Sequence, residues 1–259
     1  MVSKRLAFIL SGIILSGMLI VVDGIVSPTP PTSVEEAAPS PSPSPSPVPS
    51  PSPSPSPSPS PDPPAPLLAS VNNDVPFTSQ APYGNWSESV HQDGCEEASL
   101  AMAARWLKGQ ELSKAEANAH IRNQWDYVQA NYGNYPDLSA ADTARLMTDY
   151  WGHTPELVYD FSKQDVIEAL QNGNIVIVPV DGRKVGNPNY TAPGPPRHML
   201  VIRGYDHVGR TFITNDPGTR LGEGFLFPED RLFSAIRDYE TGAHEPITSN
   251  RKAMLLVSR

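Results

Sequence analysis

The stretch "HQDGCEEASLAMAARWL" (residues 91–107) holds the one cysteine of the chain. Asp93 stands where an N-cap would, and Glu96, three residues on, completes a capping-box spacing that puts Cys95 in the first turn of a helix. A thiol there meets unpaired amides and the positive end of the helix dipole, which favour the thiolate, the form that attacks carbonyls. Glu96 and Glu97 follow at once. They complement the helix start, but their charge opposes a thiolate beside them. A functional enzyme then needs compensation, and one source is a cationic substrate group, so Glu96 or Glu97 is expected to face the cleft and to favour positively charged substrates. The plain alternative for Cys95 is a small buried core residue.

A nucleophilic thiol needs a base. Of the six histidines, His91 lies in a loop by this reading, His120, His153 and His244 sit in polar stretches that read as surface, and His207 falls in a reverse-turn composition. His198 differs: it opens a strand directly after "GRKVGNPNYTAPGPPR", a Gly- and Pro-rich loop of the kind that forms the lip of a cleft. Packing alone would also explain a histidine at a strand start. If residues 198–205 and 211–216 form a hairpin turning near residues 207–209, facing residue numbers sum to about 415. That sum sets His198 opposite the neighbourhood of Asp216. "NDPG" (residues 215–218) is in itself an ordinary turn signal. Together, Cys95, His198 and Asp216 are the parts of a nucleophile, base and orienter system.

The elements that must hold them read as helices first and strands second. "DVPFTSQ" (residues 74–80) predicts a short strand. The helix from Cys95 is apolar nearly all round from Ser99 to Leu107, so it is expected to be buried. Further helices are predicted to start at Ser113, Ser139 and Ser162, each with an acid three residues on. Residues 174–180, 198–205, 211–216 and 252–257 read as strands. The fold class is therefore α+β, with an antiparallel sheet.

"DVPFTSQAPYGNW", "DGCEEASLAMAARWL", "RHMLVIRGYD" and "FITNDPG" resemble the double-glycine peptidase-like domain, a relative of the bacteriocin-processing peptidases within the papain-like cysteine peptidases. The resemblance spans residues 74–218 and follows the order glutamine, cysteine, histidine, aspartate. It implies a papain-like fold with the nucleophile helix packed on the sheet, Cys95 as nucleophile, His198 as base and Asp216 as orienter. It also implies that the side-chain amide of Gln80 joins the Cys95 backbone N–H in an oxyanion hole; taken alone, Gln80 is an ordinary polar residue at a strand end. Relatives commonly carry glycine and proline after the cysteine, where this chain has Glu96 and Glu97.

The rest of the chain sets the context. Lys4 and Arg5 precede an apolar run over residues 6–22, the pattern of a signal peptide or a single membrane anchor, and no lysine or arginine recurs until Arg105, so everything after Val22 is expected outside the cell. Asp23 makes a poor cleavage site, which favours a retained anchor. Residues 28–69 carry most of the 30 prolines in an alternating Pro-Ser tract that cannot bury a core and reads as an extended stalk. Residues 70–259 are enough for one domain with a sizeable core. The expected division is thus 1–27 signal or anchor, 28–69 stalk and 70–259 peptidase-like domain. In an oxidising compartment, a cysteine without a partner in its own chain is a free thiol or pairs with another molecule. A net charge of −9 without a basic cluster argues against nucleic acid. No His, Cys and carboxylate spacing of the zinc type occurs, and no cofactor is implied. The expected partner is a peptide or protein substrate, one source being the cell envelope. An acyltransferase using the same thioester, and a stalked binding module that keeps the fold without the chemistry, are the alternatives.

Overall fold

The computed structural model describes residues 70–259; the expected anchor and stalk lie outside the described residues. Among the described residues no helix is long and apolar enough to cross a membrane. The elements run β1 (Val71–Asn72), α1 (Ser89–Gln92), α2 (Cys95–Leu107), α3 (Lys114–Asn131), α4 (Ala140–Trp151), β2 (Glu156–Tyr159), α5 (Lys163–Gln171), β3 (Ile175–Val180), α6 (Gly182–Val185), β4 (His198–Asp206), β5 (Thr211–Asn215), β6 (Phe225–Pro228), α7 (Glu229–Ala235) and β7 (Ala253–Val257).

The sheet is antiparallel throughout, ordered β2-β7-β3-β4-β5-β6, with β1 added beside β4. Its central strand, β3, reads "IVIVPV" and is wholly buried, because helices cover both faces. The pleat sorts its side chains by parity. Ile175 and Ile177, with Met199, Val201 and Leu255 of the neighbouring strands, join the core under α2, α3 and α4. Val176, Val178 and Val180, with Leu200, Ile202 and Met254, pack against α5 and α7 on the other face.

Every residue of α2 except Arg105 and Leu107 is buried. Ala98, Ser99, Ala101, Ala103 and Ala104 let its backbone come close to the elements around it, while Leu100 and Met102, both fully buried, contribute about 2 kcal/mol each in apolar burial. Cys95 is the first residue of this helix and belongs to the core under the sheet. The helix therefore carries the thiol on a rigid, well-packed element. Ser113, Ser139 and Ser162 cap α3, α4 and α5 by accepting from the N–H three residues on.

Two local expectations are corrected. Gly94, not Asp93, is the N-cap of α2, and no side chain caps it; the Asp93 carboxylate instead pairs with His244 Nε2 at 3.1 Å. Residues 74–80 form no strand. Pro76 has no N–H to give a ladder, and the carbonyls of this segment are taken by side chains: Arg203 Nη1 and Asn215 Nδ2 donate to Val75 O at 3.1 and 3.0 Å, and Asn215 Nδ2 also reaches Pro76 O at 3.3 Å.

The hairpin of β4 and β5 forms with Tyr205 opposite Phe212, and a bulge between Ile202 and Gly204 shifts the register by one, so that Val201 faces Asn215. At that bulge a Cβ on Gly204 would lie 2.3 Å from Val71 O, so only glycine lets β1 approach. The hairpin brings the chain after β5 back to the start of β4, and with it Asp216 to His198.

Candidate active site

His198 is 2% exposed and Asp216 is fully buried. The two meet through His198 Nε2 and Asp216 Oδ1 at 2.8 Å. Since an ionised carboxylate only accepts, the imidazole carries its hydrogen on Nε2, which leaves Nδ1 as the basic nitrogen. Asp216 is satisfied on every side by donors: Gly218 N–H on Oδ1 at 3.0 Å, and the Asn187 amide and the Tyr190 hydroxyl on Oδ2 at 2.8 and 2.6 Å. Burial pulls its pKa upward, but the charge and hydrogen bond of His198, with the bonds from Tyr190 and Asn187, outweigh it and hold the carboxyl below its ordinary value. The Tyr190 ring meets the His198 ring edge-on at 5.5 Å. On the far side, a Cβ added at Gly218 would come within 2.9 Å of His198 Cε1, so glycine is what allows the turn of "NDPG" to close against the imidazole.

Gln80 is fixed from two directions. Its backbone N–H donates to Pro217 O at 2.9 Å, tying it to the residue after Asp216. Its side-chain Nε2 donates to the α1 carbonyls His91 O and Gln92 O at 3.2 and 2.7 Å, while Oε1 is buried without a partner. Cys95, His198, Gln80, Trp86, Tyr190 and Gly218 line one cavity of about 440 Å³, with residues 191–197 of the Gly- and Pro-rich loop forming its lip. A larger cavity of about 600 Å³, lined by Phe77, Tyr83, Leu112, Lys114 and Arg220, shares Trp86 with it but contains neither cysteine nor histidine. The fold thus brings all four residues singled out as catalytic candidates to one place.

The two glutamates do not face that cleft. Glu96 is 1% and Glu97 3% exposed, and neither lines the cavity; their positions on the first turn of a buried helix turn them inward. This corrects the expectation that they bind substrate. Glu96 instead touches the thiol from within the core: Oε2 lies 3.0 Å from Cys95 Sγ. Burial pushes the Cys95 thiol well above its ordinary range, and the Glu96 carboxyl adds to this by charge and by hydrogen bond, with Asp137 and Glu97 behind it. Glu97 is pushed well up by burial and by the charge of Glu96.

Other residues at the cavity were not legible as site residues. His244, which reads as surface, bridges Asp93 and Asp137 at 3.1 and 3.0 Å, and Arg197 reaches Asp137 at 3.4 Å. All four line the cavity. Only their convergence from four separate segments makes them a cluster, and no local pattern signals that. His91 is not in a loop: it lies in α1, fully buried, with Nε2 3.0 Å from Asn118 Oδ1. Among the described residues no group of three His, Cys, Asp or Glu side chains is placed to hold a metal ion.

The profile of the Peptidase_C39 like family matches residues 72–226, which include all four residues. A crystal structure from Bacillus anthracis, assigned to a C39-like peptidase, aligns with 74% of this chain and 99% of its own at 15% identity and a TM-score of 0.46. No curated protein matches the chain. The buried helix that starts at Cys95, packed on an antiparallel sheet, is an α+β, papain-like arrangement, and the chain belongs to the Peptidase_C39 like family of cysteine peptidases.

Proposed function

We propose that the protein is a thiol hydrolase that cleaves a peptide or amide bond with Cys95 as nucleophile, His198 as base and Asp216 as orienter. The observation that carries this reading is the 2.8 Å pair between His198 and the buried Asp216, set in the same cavity as a thiol at a helix start. His198 Nδ1 takes the thiol proton, and Sγ attacks the substrate carbonyl. The Cys95 N–H and the Gln80 amide receive the oxyanion, the amine leaves with the proton from His198, and water then releases the acyl group from the thioester. For this step Gln80 exchanges its longer bond, to His91 O, for the oxyanion.

Gln80→Ala is expected to lower kcat roughly 100-fold with little change in KM, as loss of an oxyanion donor does. Steady-state kinetics on a peptide found by library screening checks this, and an effect confined to KM would make Gln80 a substrate-binding residue instead.

One observation favours a second reading. A thiol pushed upward by burial and by a touching carboxyl is also what a binding module that had lost the chemistry would show. Reactivity of the thiol separates the two.

The setting proposed for the enzyme is outside the cell, tethered through residues 6–22, with the Pro-Ser tract as spacer and envelope peptides as the substrate source. What supports it is Lys4 and Arg5 ahead of an uncharged apolar run. The protein is expected to stay with membranes after a salt wash while its domain is degraded by protease added to intact cells. Recovery of most of it from the medium, with a start near Gly24, would show a cleaved signal instead.

A further inference from the structure

The contact between Glu96 and Cys95 has no part in the proposed mechanism, and its hydrogen bonds are specific. Glu96 Oε1 accepts from the Leu138 N–H at 3.2 Å and from the Tyr239 hydroxyl at 2.9 Å. Burial, and then the charge of Glu96, hold the Tyr239 hydroxyl well above its ordinary range, so it stays a donor. With Oε1 occupied by two donors, Oε2 is the oxygen left to carry a proton, and Oε2 is the atom 3.0 Å from Sγ. Two anions cannot share a buried contact of that length, so one proton lies between them.

We propose that Glu96 acts as a neutral carboxylic acid in the active enzyme, donating the Oε2–H hydrogen bond to the Cys95 thiolate. The proposal rests on the Cys95–His198 reading and adds a catalytic residue to it. The proton balance is simple. The thiol proton passes to His198 Nδ1, giving thiolate and imidazolium, while the Glu96 proton stays on Oε2 and turns towards the new charge. The same side chain that opposes the thiolate when ionised stabilises it when neutral. No cationic substrate group is then needed to offset the carboxyl.

The surroundings of Glu96 favour the neutral form. On α2 it is flanked by Cys95 and by the buried Glu97. From the segment before α4 comes Asp137, itself held by Arg197 and His244; from the link ahead of α2 comes Asp93, bonded to His244; and from the segment after α7 comes Tyr239. Burial, and next the negative charge of Asp137, raise Glu96 to about 7. The acid form is therefore lost as pH rises through that value, and with it the hydrogen bond to sulfur.

The test uses the full-length protein in detergent, whose single cysteine makes intact mass a one-site readout. Iodoacetamide, a neutral reagent, is reacted with it from pH 5.5 to 8.5, alongside Glu96→Gln and His198→Ala. In wild type the rate of adduct formation on Cys95 is expected to peak below pH 7 and to fall about fivefold between pH 7 and 8, the change in the protonated fraction of an acid titrating near 7. Glutamine keeps an oxygen for Leu138 and Tyr239 and puts a permanent N–H donor on sulfur. Glu96→Gln should therefore lose the fall and react at least about fivefold faster than wild type at pH 8. A wild-type rate that climbs steadily from pH 7 to 8 overturns the proposal, as does a folded Glu96→Gln protein no faster than wild type at pH 8. If Glu96→Gln does not fold, the wild-type profile decides alone. Retention of wild-type rates by His198→Ala at pH 6 to 7 would instead overturn the Cys95–His198 reading beneath it.

Discussion

Cys95→Ser and His198→Ala are each expected to remove hydrolysis almost entirely, by roughly 10⁴-fold or more, and the double variant to be scarcely worse than either single one, because nucleophile and base act as a unit. The fold should survive both changes. Serine replaces sulfur with oxygen in the first turn of a helix whose packing rests on Leu100, Met102 and Trp106. His198→Ala leaves Val180 paired with residue 198 in the ladder and removes one of the donors to Asp216. Rates on a peptide identified by library screening, with thermal melting as the control for folding, give the answer. Turnover by either single variant at wild-type speed would rule out the assignment.

Asp216 separates orientation from charge. Asp216→Ala would leave His198 Nε2, the Asn187 amide, the Tyr190 hydroxyl and the Gly218 N–H without their acceptor in a buried site, a loss of about 3 kcal/mol or more of stability, together with a fall in activity of roughly 10³-fold or more. Asp216→Asn should recover much of both. Its oxygen can accept from His198 and Gly218 and so keep the imidazole proton on Nε2, while its amide meets the Tyr190 hydroxyl, which can turn to accept, and faces the Asn187 amide, whose bond is the one lost. The pH dependence carries the same information. A carboxyl held below its ordinary value in the folded state contributes stability that is complete above its unfolded pKa, about 4, and is lost as pH falls through its folded pKa. Asp216→Asn is therefore expected to melt with a shallower dependence on pH below about 4. Equal melting and equal activity for the alanine and asparagine variants would show that acceptance of these bonds is not what Asp216 does.

How much of this was legible in the chain depended on the distance over which each feature is decided. The serine caps of α3, α4 and α5 are local, and Ser113, Ser139 and Ser162 stand where their spacing puts them. The β4–β5 hairpin is nearly local: strand patterning and a short turn sufficed to set His198 opposite the stretch containing Asp216, although facing numbers run slightly above the simple sum and shift by one at Gly204, where only a residue without a Cβ lets β1 come close. The direction of Glu96 was not legible, since a first-turn acid looks the same whether it meets water or core. Only the packing of α2 under the sheet, with Leu138 and Tyr239 arriving from distant segments, sends it inward. The cluster of Asp93, Asp137, Arg197 and His244 failed to register for the same reason. The missing strand at residues 74–80 was a conflict between pattern and chemistry, in which Pro76 and the side chains of Arg203 and Asn215 won.

Whether Cys95 is a nucleophile activated by His198 or a buried core thiol is decided by the rate of iodoacetamide addition to this sole cysteine at pH 6, read by intact mass. Folded wild type is expected to react at least about tenfold faster than the same chain unfolded in guanidinium chloride, since a paired thiolate persists where an ordinary thiol is protonated, and His198→Ala is expected to erase the difference. A folded protein that reacts more slowly than the unfolded chain, with or without His198, would contradict it.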